Sequence, residues 1–124
     1  MSSALAPSDT LYVTGKWLLD RERHLDALHV FRAMILSSPD DERSWLGLGA
    51  CHEAAAQHTV ALELYAAATV TAPAPRCRLA RARLLKSLGR EDEAIAALDA
   101  AEEAASLTAD TETLALIANE RSVA

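Results

Sequence analysis

Glycines, histidines and cysteines are the residues of this chain with chemistry within reach, and each group stops short of a reactive pattern. Gly47-Leu48-Gly49 could open a loop whose backbone N–H groups cradle phosphate. The last position of the G-x-G-x-x-G fingerprint is His52, however, and no strand pattern precedes it. Gly15-Lys16 lacks both the upstream glycine and the following Ser or Thr of a P-loop. His52-Glu53 begins like a metalloprotease H-E-x-x-H helix, but the fifth residue is Ala56, and His58 falls off that helical face. His24 and His29 flank Asp26 with no partner cysteines, which reads as surface histidines. Cys51 and Cys77 form no C-x-x-C pair and read as buried free thiols in a reducing compartment. No G-x-S-x-G elbow and no recognisable Cys/His spacing is present. The expectation is a protein that is not an enzyme and carries no metal or cofactor.

The elements that hold these residues follow from composition. At 124 residues the chain makes a single domain with a real core. Hydrophobic residues are 51% of the chain, much of that alanine, and aromatics only 4%. With Ala, Leu, Glu and Arg dominant and β-branched residues scarce, the fold class is all-α, built from closely packed helices. A formal net charge of −6 argues against a nucleic-acid partner. No stretch approaches the roughly 20 apolar residues of a membrane span, and "MSSALAPSDT" lacks signal-peptide character. Stable membrane insertion is not expected, and the expected location is the cytoplasm.

A repeat decides the status of the glycines. Trp45, Leu48, Gly49, Ala61, Tyr65, Ala68 and Pro73 follow the tetratricopeptide pattern, with His52 where the pattern has tyrosine. Counting back 34 residues gives Gly15, Ala27, Phe31 and Pro39; counting forward 33 gives Ala82, Ala94 and Leu98. Three helix-turn-helix repeats are therefore expected, at about 8–41, 42–74 and 75–107, with a capping helix at about 109–120. The one-residue shortfall falls at Pro73-Ala74-Pro75. In the second repeat the helices are expected at Glu42 to about Ala55 and Thr59 to about Thr71, and in the third Gly89 ends one helix before Glu91, Asp92 and Glu93 open the next.

Stacked helix pairs form a solenoid whose first helices line a concave groove. Position within the repeat assigns to that groove Tyr12, Lys16 and Leu19, then Arg43, Leu46, Ala50 and Glu53, then Arg76, Leu79, Arg83 and Lys86. Each set recurs at spacings of three or four and can form one stripe. Residues 76–90 carry six of the twelve cations and no acid, whereas 91–120 carry nine acids and no Lys or Arg. This basic helix either faces its acidic neighbour and solvent, or uses Arg76, Arg83 and Lys86 to hold a bound peptide.

"ALHVFRAMILSSPDDERSWLGLGACHEAAAQH" and "APRCRLARARLLKSLGREDEAIAALDAAEEA" resemble a particular tetratricopeptide family, the class II chaperones of bacterial type III secretion. "LGLGAC" and the Pro-Arg opening of the third repeat are the more specific features, and the resemblance runs from about Leu11 to Ala105. It implies a chaperone whose groove takes an extended N-terminal segment of a hydrophobic translocator and prevents its aggregation before export. It also maps groove positions onto Tyr12, Lys16 and Leu19, although the family tends to have aromatics where Lys16 and Leu19 stand. Only about ten residues precede Leu11, where family members carry a longer arm used in homodimers, so a homodimer through that arm is not expected. A generic tetratricopeptide adaptor, or a needle-subunit or regulatory chaperone needing a small helical co-chaperone, are the alternative readings. Both Leu46→Asp and Leu79→Asp are expected to abolish client binding with helicity intact.

Overall fold

A computed structural model describes residues 6–123. The N-terminal stretch read above as lacking signal character lies, for Met1 to Leu5, outside the described residues. Seven helices follow one another: α1 (Pro7–Asp20), α2 (His24–Ser37), α3 (Glu42–Ala54), α4 (His58–Thr71), α5 (Pro75–Ser87), α6 (Glu91–Leu107) and α7 (Thr111–Ser122). The first six pair as antiparallel hairpins, the all-α tetratricopeptide architecture with a C-terminal helix beyond the third pair. Among the described residues no helix is long and apolar enough to cross a membrane.

Turn chemistry explains the regular spacing. The three turns inside the hairpins place Glu22 (φ 61°), Ala56 (φ 58°) and Gly89 (φ 76°) in the left-handed region at equivalent repeat positions. Each closes the preceding helix in the same way. The N–H of the next residue reaches back five residues, as in Arg23 to Leu18, Gln57 to His52 and Arg90 to Leu85, at 2.8–2.9 Å. A bond reaching back three residues, such as Gly89 to Lys86, completes the Schellman motif. The α6–α7 turn repeats the motif with Ala109 (φ 53°). Glycine stands at only one of the four positions, so the residue type shows the left-handed conformation there alone.

Helix starts use Pro7 and Pro75 in the first turns of α1 and α5, and Asp41 and Asp110 as N-caps of α3 and α7. Helix α5 follows Ala74, itself left-handed, and has no cap of its own. Glu42 from α3 supplies one, accepting from the N–H groups of Arg76 and Cys77 at 3.1 Å each. Its burial raises the Glu42 carboxyl above its ordinary value, against the opposing pull of those two donors and of Arg76.

Helices α1, α3, α5 and α7 approach one another in succession, whereas among the described residues the backbones of α2, α4 and α6 stay apart. The odd-numbered helices therefore form the inner, concave layer and the even-numbered ones splay apart outside. The core has two parts. Leu18, Ala27, Phe31, Met34, Leu48 and Cys51 bind the first hairpin to α3. A larger cluster from Ala61 and Tyr65 through Leu79, Leu85 and Leu98 to Ile117 joins the rest.

The glycines are where these layers come closest. A methyl group at Gly15 or at Gly47 would overlap the buried ring of Phe31, and one at Gly49 would overlap Tyr65. Phe31 is thus held between bare backbone of α1 on one side and α3 on the other, and the "GLG" run serves both hairpins at once: Gly47 faces the ring of the preceding repeat and Gly49 the ring of its own. Each glycine costs helix propensity of about 1 kcal/mol, which ring burial more than offsets.

Candidate functional site: a concave groove on the inner helices

Helices α1 and α3 bring together the first two sets of expected groove residues. Tyr12 is half-buried, with its ring 6.4 Å from that of Phe31. The Arg43 guanidinium lies over Tyr12, 4.9 Å from the ring centre, and pairs with Asp9 at 2.9 Å and Asp41 at 2.7 Å. Arg43 in turn holds the Asp41 carboxyl below the usual carboxylate range. Its charge is satisfied within the protein, and its role is to tie α1 to α3 and roof Tyr12. At the other end Glu53 accepts the hydroxyl proton of Tyr65 in a hydrogen bond, while burial, with Glu53 beside it, pushes the Tyr65 phenol far above its ordinary value. Between these fixed ends lie Leu19 and Leu46, half-buried against the two core clusters, the half-buried Ala50, and Lys16, exposed and 3.6 Å from Asp20. The surface is an apolar channel with one solvated cation and polar groups already spoken for at either end.

The third set of expected groove residues, on α5, is engaged within the protein. Leu79 is only 2% exposed and belongs to the core, and α7 packs beside α5 where a fourth inner helix would stand. Arg76 pairs with Glu112 at 2.8 Å, Arg83 with Glu120 at 2.9 Å, and Lys86 with Glu120 at 3.6 Å and the Val123 carbonyl at 3.1 Å. The expectation that Leu79 lines an open groove is corrected, because it is buried in the core; Arg76, Arg83 and Lys86 stay partly exposed and are paired with two acids of α7, a further inner helix. Leu79→Asp would place a carboxylate in the core, so the expectation of intact helicity fails for that variant as well.

The cysteines stay thiols. Cys51 is buried, which pushes it up to about 11; burial likewise raises Cys77, whose Sγ donates to the Glu42 carbonyl. Among the described residues no cluster of His, Cys, Asp and Glu could hold a metal ion.

No family profile and no curated protein matches the sequence. Solved structures do. The type III secretion translocator chaperone SycD of Yersinia enterocolitica superposes with a TM-score of 0.79 at 27% identity, over 91% of this chain and 86% of that one. PcrH of Pseudomonas aeruginosa gives 0.76 at 25%, over 94% and 91%. The chain has the fold of the type III secretion translocator chaperones. SycD has also been solved with a peptide of the translocator YopD, at a TM-score of 0.67 and 27% identity over 91% and 93% of the chains. PcrH has been solved with the chaperone-binding region of PopD, at 0.74 and 25% over 97% and 93%.

Within this chaperone fold, sequence reasoning missed the residues that organise the groove without lining it. Asp9 stands 34 residues before Arg43, the repeat length itself, and that offset was the available signal for the tie between α1 and α3. Glu42 reaches the N–H groups 34 and 35 residues ahead in the same manner.

Proposed function

We propose that the protein is a non-catalytic chaperone that holds an extended segment of a type III secretion translocator in the α1–α3 groove and keeps it from aggregating before export. The observation that carries this reading is the match, over more than nine-tenths of the chain, to chaperones of which two are solved with translocator segments. The groove supports it. Tyr12, Leu19, Leu46 and Ala50 offer apolar surface in a row, and Lys16 can meet backbone carbonyls or an acidic side chain of the client.

An adaptor for free C-terminal carboxylates is supported less well. Such a site needs cations converging in the groove, and Arg43, Arg76, Arg83 and Lys86 are each engaged by an acid of this chain. Co-expression with candidate type III secretion translocators from the same organism tests the reading. One of them is expected to become soluble and to co-purify through an internal N-terminal segment. If none forms a soluble complex, the reading fails.

A further inference from the structure

The cation-rich stretch 76–90 is only partly used by the contacts described so far. Arg76, Arg83 and Lys86 face α7 and are paired there, and Arg90 is bound by Glu93 at 2.9 Å. That leaves Arg78 and Arg81, one turn apart on α5. Neither has a carboxylate within 4.0 Å among the described residues. Arg78 donates one N–H to the Pro73 carbonyl at 2.7 Å, and Glu93, which feels Arg81, spends its hydrogen bonds on Arg90.

Both arginines emerge on the outer side of the molecule. Because the backbones of α4 and α6 stay apart, a furrow runs between them with α5 as its floor. Ala66 and Thr69 form one wall, Ala97 and Ala100 the other, and Arg78 and Arg81 the base, around a hollow of about 110 Å³. The furrow continues past Arg78 to a second hollow of about 340 Å³ bounded by Ala72, Pro73, Ala104 and Leu107, with Glu103 on its rim. Leu107 there is 78% exposed. In a chain of net charge −6, two partly exposed arginines without carboxylate partners among the described residues, set between alanine walls and followed by an exposed leucine, are complementary to a partner that brings both an acid and an apolar side chain.

We propose that this outer furrow is a second protein-docking site, taking a short segment of a partner protein whose carboxylates meet Arg78 and Arg81 and whose apolar residue lies against Leu107. The site is separate from the concave groove and does not rest on the client assignment made for it. The alanine walls let the segment's backbone come close. The arginines select acids, and the apolar end distinguishes a polypeptide from a small anion.

Amide and arginine-side-chain NMR spectra of the full chain test this, with a capped peptide carrying two Glu followed by Leu in a Gly-Ser background as the probe. Saturable shifts are expected at Ala66, Thr69, Ala97, Ala100 and the Arg81 Nε. Replacing both Glu by Gln in the peptide, or Arg81→Gln in the protein, is expected to weaken binding by about tenfold or more. Ala100→Leu, which fills the furrow without touching charge, is expected to block the peptide as well. The proposal is overturned if the peptide does not saturate, if its shifts fall on α1 and α3, or if neither variant changes its affinity. Equal shifts from inorganic phosphate would make the furrow a small-anion site, and a concentration-dependent dimer lost in Arg81→Gln would make it a contact between copies; either result also overturns the proposal.

Discussion

Phe31 has no exposed surface, and the reason lies in three other residues: Gly15 and Gly47 remove the side chains that would meet its ring, and Tyr12 approaches it from the groove side. The spacing of α1 and α3, and so the width of the groove, depends on this arrangement. Gly47→Ala is expected to destabilise the fold by about 1–3 kcal/mol despite alanine's better helix propensity, because the added methyl has to displace a packed ring. In a Phe31→Leu background, where the ring is gone, most of that cost should disappear. A urea-denaturation cycle over the two positions measures the coupling; two independent, additive effects would mean that Gly47 does not serve the ring. The tetratricopeptide pattern accounts for Gly49 but not Gly47, whose function became visible only once the neighbouring repeat's aromatic ring was placed against it.

At the level of elements, the repeat length was the most legible feature of the sequence, since anchors 33 or 34 residues apart recur on matching faces of successive hairpins. Helix α3 runs Glu42–Ala54 and α4 His58–Thr71, within a residue of where capping and hydrophobic spacing put them. Turn geometry was less legible, because left-handed residues need not be glycine. Glu22 and Ala56 pay for a conformation that Gly89 adopts freely at the same repeat position. Ala56→Gly and Glu22→Gly are each expected to stabilise the protein by about 1 kcal/mol, read as a higher urea midpoint at unchanged m-value. Glycine at Ala66, a helical position of α4, should do the opposite and serves as the control.

For the whole molecule, the groove is shorter than the repeat count suggests. Sequence position placed Leu79, Arg76, Arg83 and Lys86 in the same series as the groove residues of α1 and α3. It marked a capping helix at about 109–120 but not that the acids of this helix would engage the cations of α5, because Glu112 and Glu120 carry no repeat signature. On the proposed reading, client contact is then expected at Tyr12, Lys16, Leu19, Leu46 and Ala50, between two neutralised ends, Arg43 with its acids and Glu53 with Tyr65. The most direct measurement of this account is the affinity of the translocator's N-terminal segment, by isothermal titration calorimetry, for the wild-type chain and for Leu46→Asp. Circular dichroism should show wild-type helicity for that variant, in contrast to Leu79→Asp, which is expected to lose it. Binding to Leu46→Asp is expected to fall by roughly 100-fold, the scale of placing an uncompensated carboxylate in an apolar contact. Wild-type affinity in a folded Leu46→Asp protein would contradict the account and move the client off the concave face.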